Sequence, residues 1–164
     1  MNTEALQPNE AAAEIRSLRL STPILSAIAG AVALLAAALS AWIIHDQIPS
    51  MLCATSDLFA CGSAFLMGNA FRLRDARSRA GYKARLANRP PIETLSMIPP
   101  QHVTFARMRA ARRGVFASMA MLLGTFLTIA YTQDTTKTIA AIAILGLVSA
   151  TICYLCGTWT RPLD

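Results

Sequence analysis

Asp57 is the one formal charge within four long apolar stretches of this 164-residue chain. An ionised carboxylate is expensive to hold in lipid, so its first reading is a proton or cation site facing the interior of a helix bundle. Cys53 and Cys61 stand four residues before and after it, which places all three on one helix face. Two thiols flanking a carboxylate are donors that suit a soft metal ion. A quieter reading exists for each. Thr55, Ser56 and Asp57 are capping residue types and would close a helix that began at that point, and cysteine is a common small apolar residue of buried helices. Cys153 and Cys156 add a CxxC near the end of the last apolar stretch, and the two short connectors contain no cysteine for disulfide chemistry outside the membrane. His45, Asp46 and His102 group with no nucleophile and share no metal-ligand spacing, so the chain carries no catalytic constellation and no cofactor motif.

The elements that position these residues follow from composition. With 54% hydrophobic residues and a positive mean hydropathy, a soluble domain of this size would expose much of its apolar surface to water. Lipid must therefore serve as part of the solvent. Residues 23–44, 51–71, 114–132 and 138–159 are each close to the roughly 20 residues that carry a helix across a hydrocarbon layer. The expected fold is all-α: a polytopic membrane protein of four transmembrane helices arranged as two hairpins, 23–71 and 114–159. The first stretch is read as a span and not a secretory signal, because its apolar run is about twice the length of a signal's core.

Charge sets the orientation. Of the 15 Lys and Arg residues only Lys137 falls in a short connector. The others lie in residues 1–22, in residues 72–113 and in the tail 160–164, so these three regions are expected on the cytoplasmic side. The long loop 72–113 carries a net +9, from 11 basic residues against Asp75 and Glu93, while the whole chain is only +6. Ala-rich helices and a preference for Arg over Lys suggest a GC-rich bacterial genome and hence an inner membrane. Residues Asn9 to Leu20 are read either as a short helix lying on the headgroups or as a frayed end.

Within the basic loop, Arg72, Arg79 and Lys83 fall on one side of a helical wheel, and Arg74, Arg77 and Arg85 on the other. That pattern leaves no apolar face and predicts a helical extension of the second span as far as Gly81. Together with Arg112 and Arg113 these residues are candidates for contact with anionic headgroups or with a protein partner. Nothing in them reads as nucleic-acid recognition, since no helix-turn-helix, zinc or stacking-aromatic signature accompanies the charge. Between the two basic runs, proline pairs bracket residues 90–100 and stiffen the backbone around Ile92, Leu95, Met97 and Ile98. An apolar cluster held in a charged loop is a candidate docking peptide.

Small residues recur every fourth position as Ala29, Ala33, Ala37 and Ala41, as Ser56, Ala60, Ala64 and Gly68, and as Ser149, Cys153 and Gly157. Such stripes let helix backbones approach in lipid, within one chain or in a homo-oligomer. Two function classes stand out. The leading one is a non-enzymatic subunit or adaptor of a larger envelope assembly, such as a secretion, conjugation or respiratory complex, docking partners through the basic loop. The other is a small oligomeric transporter or channel using Asp57, with Cys53 and Cys61, for a proton, a cation or a soft metal.

Overall fold

A computed structural model describes residues 22–44, 47–87, 100–131 and 136–160. They form four helices: α1, Thr22–Ile43; α2, Gln47–Leu86; α3, Gln101–Tyr131; and α4, Thr136–Trp159. Three of them, α1, α2 and α4, are long and apolar enough to cross a membrane. Arginines 107, 109, 112 and 113 crowd the first half of α3, and from Gly114 to Tyr131 that helix has no charged residue.

Helix α2 starts at Gln47, four residues before its apolar run. Pro49 is tolerated there because the first turn of a helix has no intrahelical partner for its N–H groups. The Ser50 hydroxyl donates back to the Gln47 carbonyl at 3.1 Å. Deeper hydroxyls are satisfied by their own helices: Thr125 donates to the Met121 carbonyl at 2.8 Å, Ser149 to Leu145 at 2.8 Å, and Thr151 to Leu147 at 2.7 Å. In hydrocarbon an unpaired hydroxyl would be costly, so these bonds let polar residues occupy the spans.

Helix α2 is the hub. It packs against α1, α3 and α4, and α1 also packs against α4. Pairings along α2 set the directions. Ser40 meets Asp57, and Ile44 shares a buried cluster with Cys53, which makes α1 antiparallel to α2. Ser56 donates to the Ser118 carbonyl at 3.0 Å and Arg107 donates to the Asn69 Oδ1 at 3.1 Å, so α3 is antiparallel too. Helix α4 runs parallel to α2, with Ile142 beside Cys53, Gly146 beside Asp57 and Cys153 beside Cys61.

The α2/α4 crossing is close because two glycines face each other's helices. A Cβ on Gly68 would meet the Tyr154 carbonyl and lie 3.0 Å from the Thr158 nitrogen; one on Gly157 would meet the Phe65 carbonyl and lie 3.1 Å from the Asn69 nitrogen. Only glycine permits that approach. The small-residue stripes mostly face inward: Ala29, Ala33, Ala37, Ser56, Gly68, Ser149, Cys153 and Gly157 are buried, whereas Ala41 is exposed. Below the crossing, Arg72 donates to the Thr158 carbonyl at 2.6 Å, placing a positive charge on the C-terminal end of α4.

Two features depart from the sequence reading. Residues 72–113 are helical over much of their length, because α2 continues to Leu86, past Gly81, and α3 already begins at Gln101. Leu73, Ala84, Thr104 and Ala111 are buried in this paired extension, while Arg74, Arg79, Lys83, Arg85, Arg109, Arg112 and Arg113 are exposed. Second, α3 and α4 are consecutive and joined by residues 132–135, yet their described residues barely touch. They stand apart over α2 and leave a cleft between them.

Candidate cation site at Asp57

Asp57 is the eleventh residue of α2, about 15 Å along the axis from Gln47. Starting the helix at Gln47 removes the capping interpretation of Thr55, Ser56 and Asp57. Thr55 donates to the Met51 and Leu52 carbonyls at 2.9 and 3.0 Å, and Ser56 reaches across to α3, so neither hydroxyl serves a helix N-terminus. The Asp57 side chain points into the bundle and is 2% exposed.

Its surroundings come from three helices. The Ser40 hydroxyl on α1 donates to Asp57 Oδ2. Gly146 on α4, the eleventh residue of its helix, lies opposite the other oxygen: a Cβ there would sit 3.1 Å from Oδ1. Among the described residues Ser40 is Asp57's one hydrogen-bond partner, and no Lys or Arg pairs with the carboxylate. The ion pair between Asp75 and Arg79 lies in the exposed extension and contributes little. Asp57 thus has a neutral donor on one oxygen and the Gly146 backbone packed against the other, and its side chain forms part of the cleft lining.

The cleft encloses about 700 Å³, lined by Cys53, Asp57 and Ala60 on α2 and by facing walls from α3 and α4. Apart from Asp57, its polar groups are the Thr125 hydroxyl, already committed to its own helix, and the Cys53 thiol, which lies against Thr125.

The structure keeps Cys53 and Cys61 on Asp57's face of α2 but separates their roles. Cys53 belongs to a cluster with Ile44 and Ile142 at one end of the site. Cys61 lies one turn beyond Asp57 in a cluster with Leu25, Ala29, Ala33, Cys153 and Cys156. There Cys153 packs in the same cluster as Cys61 and donates to the Ala29 carbonyl at 3.5 Å. All four cysteines are free thiols, and among the described residues no three His, Cys, Asp or Glu side chains are placed to share a metal ion.

Arg72 is engaged with Thr158, and Arg77 also has a partner, so these two are structural as well as basic. Ile92, Leu95, Met97 and Ile98 lie outside the described residues, as do His45, Asp46 and residues 1–21. Sequence reasoning singled out Asp57 and did not single out Ser40, Gly146 or Thr125, which the structure places beside Asp57 or in the lining of the same cleft. A faint signal for Ser40 existed, since it is the one polar residue in the second half of α1. Comparison with family models, curated proteins and solved structures returns no match for this chain.

Proposed function

We propose that this chain is a small transporter of the bacterial inner membrane that binds a proton or another cation at Asp57. It crosses the membrane four times as two hairpins, with both termini and the basic extension of α2 and α3 in the cytoplasm. The reading rests on one observation: a buried carboxylate with, among the described residues, a single neutral hydrogen-bond partner and no basic partner, in the lining of a cleft between apolar helices. A charge so placed is costly to the fold and reads as functional. The four-span topology draws support from α3, whose uncharged half exposes Phe116, Met119, Leu123 and Phe126 and needs lipid as much as its neighbours do. Trp42 and Trp159, exposed near the ends of α1 and α4, suit the two interfaces.

Growth of cells carrying wild type or Asp57→Asn across a range of external pH and metal challenge tests this reading. The variant is expected to lose a phenotype that wild type confers; identical growth under every condition would overturn it.

A second reading is favoured by the paired extension of α2 and α3, which presents seven exposed basic side chains beyond the apolar region. On that reading the protein is a non-enzymatic subunit or adaptor of an envelope assembly, docking partners or anionic headgroups through the extension and residues 90–100. Replacing Ile92, Leu95 and Ile98 by Ser would then abolish co-purification of a partner, and Asp57→Asn would not.

A further inference from the structure

The cleft over Asp57 combines two chemistries that select a ligand together. Its walls are apolar, with Leu122, Leu123 and Phe126 on α3 facing Ile139, Ile142 and Leu147 on α4. Its volume of about 700 Å³ falls in the range of small-molecule pockets, roughly 300–1,000 Å³. Because α3 and α4 do not close over α2, the cleft opens sideways between helices that also expose apolar side chains outside it, among them Phe116, Leu127, Ile144 and Val148. A ligand would enter from the hydrocarbon and not from water.

The floor then decides the charge. Asp57 and Gly146 both line the cleft, and Asp57 Oδ1 lies so near Gly146 that a Cβ there would be 3.1 Å away, without a hydrogen bond to Oδ1 from any described residue. A carboxylate in a low-dielectric site attracts a positive charge strongly. Hard metal cations need about six or more oxygen ligands, and the site offers the Asp57 carboxylate and the Ser40 hydroxyl. An anion or a neutral amphiphile would leave Asp57 uncompensated. A bulky organic cation satisfies both parts, its apolar body against the walls and its charge over the carboxylate.

We propose that the cleft between α3 and α4 binds a monovalent lipophilic organic cation, drawn from the bilayer and paired with Asp57. The proposal rests on the reading of Asp57 as a cation site and names the cation's class.

The test uses the full chain, purified in detergent and in lipid nanodiscs, titrated calorimetrically with tetraphenylphosphonium and with tetraphenylborate, an anion of nearly the same size and hydrophobicity. Saturable binding of the cation alone is expected. Asp57→Asn should weaken it by roughly tenfold or more, and Ala143→Phe, which fills the cleft from α4 and leaves the carboxylate in the chain, should do the same. Equal binding of tetraphenylborate would point to a site for acyl chains or generic apolar bodies and overturn the proposal. So would binding that Asp57→Asn weakens but Ala143→Phe leaves within about twofold, which puts the cation outside the cleft. If tetraphenylphosphonium fails to bind wild type while Asp57→Asn still abolishes the growth phenotype, this inference falls and the cation-site reading stands; if Asp57→Asn changes neither, both fall.

Discussion

Helix α4 has two sides that solve the same problem differently. Toward α1 and α2 it is sealed by small residues: Ser149, Cys153, Cys156 and Gly157 are buried, and the Gly68/Gly157 crossing brings backbones into contact. Toward α3 it presents Ile139, Ala143 and Leu147 across open space. Both sides are apolar, so hydrophobicity does not distinguish them. In lipid, close packing of backbones and interhelical hydrogen bonds drive association, and on the closed side two glycines face each other's helices, whereas the cleft side mixes Ala143 and Gly146 with Ile139 and Leu147.

The largest effect is expected where the closed side is tightest. Gly157→Val puts a side chain into the Phe65 carbonyl, a backbone atom with no rotamer to turn away, so α2 and α4 must separate. Overpacking of this kind costs about 3 kcal/mol or more. Thermal unfolding followed by circular dichroism in detergent should show a large drop in midpoint or no folded protein. A midpoint equal to wild type would show that the crossing does not hold the bundle.

Next comes a matched pair across the two sides of α4. Ala33 is buried in the cluster that joins α1 to α4, whereas Ala143 is exposed on the cleft wall. Ala33→Phe is expected to destabilise by about 1–3 kcal/mol, and Ala143→Phe by less than about 0.5 kcal/mol, measured by the same melts. Equal losses would mean that the cleft is closed in the folded protein and the contrast between the sides is lost.

A smaller effect belongs to Arg72. Its guanidinium donates to the Thr158 carbonyl in the last turn of α4, combining a charge-assisted bond with a favourable interaction with the helix dipole. The side chain is partly exposed, so screening reduces the contribution. Arg72→Ala is expected to cost about 1 kcal/mol, with Arg72→Lys recovering part of it. No difference between the two variants would leave Arg72 with a role at the membrane surface only.

How far these sides could be read beforehand depends on the kind of information each needs. The ends of α1 and α4 lie within two residues of the apolar runs, because a lipid-immersed helix is bounded by where apolar residues stop. The start of α2 was harder to see, since Pro49 and Ser50 are turn formers everywhere except in a first helical turn. Residues 72–86 and 101–113 carry too many charges to resemble a span, yet Ala, Arg, Leu and Met favour helix, and pairing of the two segments lets them continue. Asp57 stood out as a lone charge in an apolar run, but its place eleven residues into a helix that begins at Gln47 did not. Its neighbours Ser40 and Gly146 did not stand out, because partner choice depends on helix rotation and register, which one-dimensional spacing within a helix does not contain. The separation of α3 from α4 is of the same kind: a short connection limits how far apart two helix ends are, not whether their flanks touch.

Ser40 gives the smallest structural effect and the sharpest distinction. Interhelical hydrogen bonds in membrane proteins average about 0.6 kcal/mol, because the alternative arrangement also finds partners. Ser40→Ala removes the hydroxyl that donates to Asp57 Oδ2 and leaves a methyl group in its place, so the loss in stability is expected to be about that size. If Asp57 served only to tie α1 to α2, that small loss would be the whole consequence, and Asp57→Asn, which keeps the shape and retains an acceptor for Ser40, would be equally mild in every assay. If Asp57 is a cation site, the two variants part company. Ser40→Ala would leave the carboxylate without its one donor among the described residues and alter cation binding at nearly constant stability, while Asp57→Asn would be stable and bind roughly tenfold or more weakly. Melting curves and tetraphenylphosphonium titrations on both variants read the two quantities separately. Parallel losses in stability and binding for both would assign the pair to packing.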